Sequence, residues 1–156
     1  MKKILRVCPV FIAVIVLFVL AGCSYRIKQD DTQQEVVTLF NDRILPAKYM
    51  EAVKEFDHVI YEEVYIDHGS RSIGPTEYRY RGIAYLTEEE AGRLWNEYEW
   101  EEIEKPDFEF SKVDKESTGE GPWYNSTKFI TDNYSSVTVS YTVFDGKKLV
   151  FDFRQM

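Results

Sequence analysis

The chain has 156 residues and a formal net charge of −8, and its only two cysteines are Cys8 and Cys23. Residues 24–156 therefore contain no thiol, which excludes disulfides, thiolate zinc sites and cysteine nucleophiles from that part of the chain. The excess of negative charge disfavours binding to nucleic acid and favours rapid association with basic partners. We expect no nucleic-acid partner.

The first 22 residues have the layout of a secretory signal peptide. Three basic residues stand among the first six, residues 10–20 are apolar, and small residues follow before the chain becomes polar. The uncharged run of residues 7–22 contains Pro9 and is shorter than the roughly 20 apolar residues that a spanning helix needs. We therefore predict a cleaved signal over residues 1–22 in preference to a membrane-spanning anchor.

The four residues Leu20-Ala21-Gly22-Cys23 come directly after the apolar stretch. They resemble the lipobox of bacterial lipoproteins, in which a bulky apolar residue and two small residues precede a cysteine. This resemblance implies that the signal is cut before Cys23 and that its thiol carries a diacylglycerol on the extracytoplasmic side of the cell membrane. Two acyl chains hold a protein stably at a bilayer, whereas a single chain binds reversibly.

Cleavage after residue 22 would leave a lipidated cysteine and polar tether at residues 23–31 and a single domain at residues 32–156. It would remove three basic residues and no acidic ones, which leaves 16 basic and 27 acidic residues and a net charge of −11. A domain of this length can build a core without a metal ion or disulfide. The charge predicts either a well-solvated surface or attraction to a basic protein.

Two helices are predicted at the start of this domain. Thr32 and Glu35 have the spacing of a capping box, and apolar residues recur at helical spacing over residues 36–44. Pro46 should end this helix and begin a second one that runs to about Phe56.

Three strands and two loops are predicted from local composition. Residues 58–66 and 76–86 are rich in β-branched and aromatic side chains, and a loop at residues 67–75 separates them. One side of the second strand should be solvent-exposed for half of its length. A short strand at residues 108–110 and a second loop at residues 114–122 should follow further along the chain.

A helix is predicted between the second and third of these strands. Thr87 and Glu90 repeat the capping-box spacing, and Glu89 is placed to pair with Arg93 one turn later. Its buried face should consist of Ala91, Leu94, Trp95 and Tyr98.

The end of the chain predicts a β-hairpin. Apolar residues alternate over residues 137–143 and 149–153, on either side of Asp145-Gly146. The two apolar rows share one face if the loop has three residues, 144–146, with Gly146 in a left-handed conformation. This register sets Tyr141 opposite Leu149, Val139 opposite Phe151 and Val137 opposite Phe153.

Together these elements predict an α+β fold. We expect an antiparallel sheet of about four or five strands with helices packed on one face. The sequence has no internal repeat and no low-complexity stretch, so one domain over residues 32–156 is the expected unit.

No sequence pattern predicts a catalytic site, a cofactor or a metal ion. His58 and His68 are the only histidines, and the chain has neither a glycine-rich phosphate loop nor a calcium loop. The loop around His68 also contains Asp67 and Ser70, but a catalytic triad needs side chains that converge from separate segments. We therefore predict no catalytic, cofactor-binding or metal-binding residue.

One stretch predicts a surface for a partner. Acidic residues alternate with aromatic and apolar ones over residues 97–104, where Trp100 would anchor a basic partner. The alternative is a solvated helix end and sheet edge, in which charge prevents edge-to-edge pairing. Trp123 would be either an exposed platform or a core residue beneath a loop. The predicted contact residues are Glu97, Glu99, Trp100, Glu101, Glu102 and Trp123.

These patterns favour a membrane-anchored extracytoplasmic lipoprotein that acts as a non-enzymatic binding or interaction module. Lipid on Cys23 would hold it at the membrane, and a basic protein would be its partner. One alternative is an inhibitor or immunity lipoprotein that neutralises a basic secreted enzyme, on charge and fold-level analogy alone. Another is an extracytoplasmic hydrolase with paired carboxylates near Tyr78, Tyr80 or Trp100.

Overall fold

A single antiparallel sheet of seven strands organises residues 34–67 and 77–155, which are the residues that this computed structural model describes. The signal peptide, lipidation site and tether predicted for residues 1–31, and nearly all of the loop predicted for residues 67–75, lie outside the described residues. In chain order the strands are β1 (Gln34–Phe40), β2 (Phe56–Asp67), β3 (Tyr78–Leu86), β4 (Glu101–Ile103), β5 (Trp123–Asn125), β6 (Thr138–Phe144) and β7 (Lys148–Gln155). Their order across the sheet is β1-β2-β3-β7-β6-β5-β4.

Three α-helices and one short 3-10 helix accompany the sheet in the described residues. They are α1 (Ile44–Tyr49), α2 (Glu88–Glu97), α3 (Thr127–Asn133) and the 3-10 helix Lys115–Thr118. The predicted α+β class is confirmed, but the sheet has seven strands instead of four or five. Two of the additional strands, β4 and β5, have only three residues each, which is too short for an alternating pattern to appear in the sequence.

Strand β1 stands where the first helix is predicted, so that prediction is wrong. Its apolar residues fit helical spacing, but pairing with β2 gives them a partner, and Phe40 stacks on Tyr61 with ring centroids 5.2 Å apart. Tertiary contacts of this kind decide between helix and strand in a short apolar run. The second predicted helix is shorter than expected, since α1 ends at Tyr49 and Phe56 already begins β2. Pro46 also lies inside α1 and does not begin it.

Both faces of the sheet are covered at its centre, and β7 shows this most directly. Residues 149–153 of β7 have no exposed surface at all. Alternate residues face a main core that all three α-helices complete, with Leu94 and Phe129 among the buried contributors. The others face a second, smaller core that includes Phe108 and Val113. Both of these come from residues 104–122, which we call the covering segment.

The predicted β-hairpin at the end of the chain is confirmed, but its predicted register is wrong. Tyr141 lies opposite Asp152 instead of Leu149, and Val139 lies opposite Phe153 after a shift in register between Val139 and Tyr141. The prediction assumed that only one face of the hairpin is buried. Because β7 is covered on both faces, its apolar rows need not share a face with those of β6.

The turn of this hairpin is also tighter than predicted. The Asp145 N–H donates to the Lys148 carbonyl at 3.2 Å, so the turn is centred on residues 146–147. Gly146 has a φ of 91°, which agrees with the left-handed conformation predicted for it. Asp145 Oδ1 accepts from the Lys147 and Lys148 N–H groups, both at 2.9 Å, and this fixes the turn further.

The side of β3 that was predicted to be solvent-exposed lies beneath the covering segment. Arg81 is 5% exposed and donates through Nε to the carboxylate of Glu62, which is completely buried. The same carboxylate accepts three consecutive backbone N–H groups, from Ser111 at 2.8 Å, Lys112 at 2.6 Å and Val113 at 3.4 Å. One carboxylate therefore joins the sheet to the covering segment, and we call this arrangement the Glu62 clamp.

A second ion pair lies beside the clamp. Arg79 Nε donates to Oδ1 of the buried Asp152 at 2.9 Å, and Arg79 Nη2 donates to Glu109 of the covering segment at 2.9 Å. Hydrogen bonds to Asp152 raise the pKa of Arg79 above its ordinary value, although burial opposes this. Residues 108–110 have irregular backbone instead of the predicted strand. Their side chains fix them in place, because Phe108 and Phe110 pack on the second core and Glu109 binds Arg79.

The Glu62 clamp predicts a large loss of stability in Glu62→Gln. This change keeps the shape of the side chain but leaves Arg81 buried without its counter-charge, which costs about 3–5 kcal/mol in comparable sites. Urea unfolding followed by circular dichroism measures the loss. Glu109→Gln is the matched control, because its carboxylate is exposed and solvent weakens its ion pair with Arg79, so this change should cost much less stability. An equal effect of both changes would contradict this assignment.

Gly82 predicts a second, sterically determined effect. A Cβ atom at this position would lie 2.4 Å from the Ile60 carbonyl oxygen and 2.5 Å from the Tyr61 Cβ atom. Gly82→Ala should therefore cost about 1–3 kcal/mol of unfolding free energy. Gly92→Ala is the control, because nothing lies within 4 Å of a Cβ there and helix propensity should add about 0.5–1 kcal/mol. Thermal unfolding of the two variants should shift in opposite directions.

Candidate functional site

Helix α2 positions the candidate surface, and its start follows from the sequence. Thr87 is the N-cap, and its Oγ1 accepts the Glu90 N–H at 3.2 Å. The other half of the predicted capping box is absent from the described contacts, because the Glu90 carboxylate accepts the Lys54 N–H at 2.7 Å. Arg93 binds Glu90 and Glu97 instead of the predicted Glu89. Helix α2 is thereby fastened to residues 52–54.

The charge of Glu90 is stabilised by this arrangement. Burial raises the pKa of the Glu90 carboxyl group, but hydrogen bonds from Arg93 and from the Lys54 N–H outweigh burial. The net effect holds the pKa below its ordinary value of 4.5. Arg93 also donates to the Ala52 carbonyl at 2.6 Å, so one guanidinium group connects the helix to the chain that precedes β2.

The predicted acidic residues all lie on the surface at one edge of the sheet. Strand β4 is the edge strand, and the carboxylates before, within and after it are exposed. Glu97 is paired with Arg93. The other four glutamates of residues 97–104 have no cationic side chain within 4.0 Å among the described residues. We call these four glutamates the acidic edge: Glu99, Glu101, Glu102 and Glu104.

Trp100 and Trp123, which were predicted to contact a partner, are held mainly by the protein itself. Trp100 donates through Nε1 to the Leu94 carbonyl at 2.9 Å, and its ring centroid lies 4.8 Å from that of Phe144. It is half-buried. Trp123 is 1% exposed and packs against Phe108 at 5.2 Å. The structure thus agrees with the alternative in which Trp123 is a core residue beneath a loop.

The exposed aromatic residue of this region is Trp95, which sequence reasoning placed on the buried face of α2. Its neighbours Leu94 and Tyr98 are buried as predicted, but 43% of Trp95 is exposed. Its ring meets that of Tyr124 at an angle of 89°, with centroids 4.9 Å apart, and lies 5.9 Å from that of Phe144. Periodicity alone does not separate the centre of an apolar helix face from its margin, where Trp95 lies.

A groove of about 640 Å³ opens beside this indole. It runs between α2 and the turn that joins β6 to β7, and we call it the Trp95 groove. Gly92 leaves space within it, since nothing lies within 4 Å of where its Cβ would be. The groove is lined by Leu86, Glu88, Ala91, Gly92, Trp95, Asn96, Gly146 and Lys147.

The described residues contain no group of three or more His, Cys, Asp or Glu side chains placed to hold a metal ion. His58 stacks on Tyr85 at 4.0 Å and contacts Asp57 at 2.9 Å, whereas His68 and Ser70 lie outside the described residues. Within the described part of the chain, no helix is both long and apolar enough to cross a membrane.

Comparison with known proteins returned no match. No protein-family profile, no curated protein and no solved structure matches this chain.

The lowered pKa of Glu90 predicts how stability depends on pH. Because the carboxyl group binds its proton less tightly in the folded chain, its contribution is present above the unfolded pKa and is lost as pH falls through the folded value. Glu90→Gln should therefore destabilise the protein near about pH 7 and much less near about pH 3. Urea unfolding of both proteins across this range tests the expectation. A difference that is constant with pH would contradict it.

Proposed function

We propose that this protein is a lipid-anchored extracytoplasmic binding protein that engages a basic partner through the acidic edge. A diacylglycerol on Cys23 would hold it at the membrane, as the resemblance of residues 20–23 to a lipobox implies. The domain would then face a partner outside the cytoplasm. The observation that carries the proposal is the set of four exposed carboxylates on and around β4 for which the described residues offer no ion pair.

The physical basis is the negative charge concentrated at this edge of the sheet. The residues paired with Glu101 and Glu102 are Asn125 and Tyr124, which carry no positive charge. A basic partner would supply that charge and would be drawn to the surface by long-range attraction. The alternative is that the charges only protect an exposed sheet edge from pairing. A binding measurement separates the two.

A second candidate follows from the same surface. An inhibitor or immunity lipoprotein would use a rigid acidic surface to cover a basic secreted enzyme. The acidic edge suits this role because β4 belongs to the sheet and is continuous with the clamped covering segment. In such a complex the partner is an enzyme whose activity falls on binding, so an activity measurement distinguishes the inhibitor from other binding proteins.

The lipid anchor predicts a defined change in mass and location. When the whole chain is expressed, the protein recovered from the membrane fraction should begin at Cys23 and carry the mass of a diacylglycerol. Cys23→Ala should remain uncleaved or lose the lipid, because its side chain has no thiol to modify. Intact-mass spectrometry of both proteins tests this. A membrane form of the wild-type chain with an unmodified Cys23 would contradict the anchor.

The acidic edge predicts binding that salt weakens. Full-length protein should retain basic envelope or secreted proteins at about 50 mM salt and release them at about 500 mM, because salt screens exposed charges. A variant with Glu99, Glu101 and Glu102 changed to Gln should retain fewer of them. The control carries three equivalent changes at exposed glutamates elsewhere, Glu35, Glu51 and Glu55, and removes the same total charge. Equal retention by both variants would exclude the acidic edge as the binding surface.

A further inference from the structure

We infer that the Trp95 groove receives a cationic side chain of the partner, and that arginine fits it best. The inference rests on the proposed function and adds to it the point at which a basic partner is anchored. The observations that carry it are the exposure and support of Trp95, the negative charge of the segment that carries Trp95, and the contact of Trp95 with Tyr124, which lies opposite Glu102.

Trp95 has the features of a preorganised contact residue. It is 43% exposed, yet its ring is supported by Tyr124 at 4.9 Å and by Phe144 at 5.9 Å. An indole held in this way loses little conformational freedom when a ligand binds. Tryptophan is also the aromatic side chain whose face attracts a cation most strongly.

The segment that carries Trp95 is rich in negative charge. Residues 88–109 contain ten acidic and two basic residues. Both basic residues are engaged, Arg93 with Glu90 and Glu97, and Lys105 with Glu120 at 3.5 Å. Glu88 is exposed and is the one acidic residue that lines the groove. The charge of this segment and the carboxylate of Glu88 favour a cation.

One lining residue opposes this charge. Lys147 is exposed at the turn of the hairpin and lines the same groove. Its side chain has no ion pair among the contacts of the described residues. If the ligand is a cation, Lys147 weakens binding, and if the ligand is an anion, Lys147 strengthens binding. The sign of its effect therefore identifies the ligand charge.

Arginine suits the shape as well as the charge. Its planar guanidinium group stacks on aromatic faces, and its methylene stem covers apolar surface. In the groove, Leu86 and Ala91 supply apolar surface beside the indole, Gly92 leaves room, and Glu88 supplies a carboxylate. A lysine would provide the charge but not the planar stacking group.

Tyr124 links Trp95 to the strand that carries part of the acidic edge. This residue contacts Trp95 and lies directly opposite Glu102 in the pairing of β4 with β5. A basic segment with one arginine in the groove would therefore have Glu102 within reach of a neighbouring positive charge. The two sites would act as an anchor and a charged rim of one interface.

The experiment uses the three tryptophans as separate reporters. Full-length protein in nonionic detergent is labelled with 5-fluorotryptophan, and its three fluorine signals are assigned with Trp95→Phe and Trp100→Phe. Acetylated hexaarginine amide is the ligand probe. Trp95 reports on the groove, Trp100 reports on the acidic edge, and Trp123, which is 1% exposed, is the internal reference.

Hexaarginine should shift the Trp95 signal to saturation and leave the Trp123 signal in place. Hexalysine should bind about two- to fivefold more weakly, because it cannot stack its charged group. Lys147→Gln should tighten hexaarginine binding and Glu88→Gln should weaken it, each by about two- to threefold. Glu35→Gln, the same charge change at the opposite edge of the sheet, should leave binding unchanged.

A shift of the Trp100 signal alone would overturn the groove as the anchor and leave the proposed function standing. If hexaarginine shifted none of the three fluorine signals, the inference would be overturned. The proposed function would then still be decided by the retention of basic proteins in the salt experiment. Equal binding of hexaarginine and hexalysine would overturn the stacking of arginine. Weaker hexaarginine binding by Lys147→Gln would overturn the cationic ligand.

Discussion

The structure depends on one buried carboxylate that joins two layers. Glu62 lies on β2, has no exposed surface, and binds Arg81 on the neighbouring strand together with three consecutive backbone N–H groups of the covering segment. Removing an ion pair from water is costly, and multiple hydrogen bonds to the same carboxylate offset that cost. With the covering segment held in place, the second core is closed and β7 is buried on both faces.

The long elements of the fold could be predicted from the sequence, because each carries its own signal. Helix α2 has a cap and nearly three turns of pattern, β2 and β3 have many β-branched and aromatic residues, and the hairpin has Asp145-Gly146. Strand β1 could not be predicted, since its apolar residues satisfy helical and extended spacing equally. The hairpin register failed for a different reason, because the burial of β7 on both faces depends on residues 104–122, about forty positions earlier in the chain.

The exposure of the acidic residues in the candidate site could be predicted from the sequence, but the exposure of its aromatic residues could not. A dense run of carboxylates has to lie on the surface, since unpaired charges are too costly to bury, and the structure places Glu99 to Glu104 there. The three tryptophans have the same chemistry but different surroundings. Trp123 is enclosed by the second core, Trp100 lies against Phe144, and Trp95 remains 43% exposed at the margin of its helix. These differences arise from tertiary packing and leave no signal in local sequence.

Strand β4 ends at Ile103, and the covering segment begins with the next residue. The backbone that carries Glu101 and Glu102 to the surface is therefore the same backbone that reaches the Glu62 carboxylate at Ser111, eight residues after Ile103. A pulling force on the outer carboxylates acts along this short connection. Resistance to such a force therefore comes from the pairing of β4 with β5 and, further along the backbone, from the three amides that the buried Glu62 carboxylate holds.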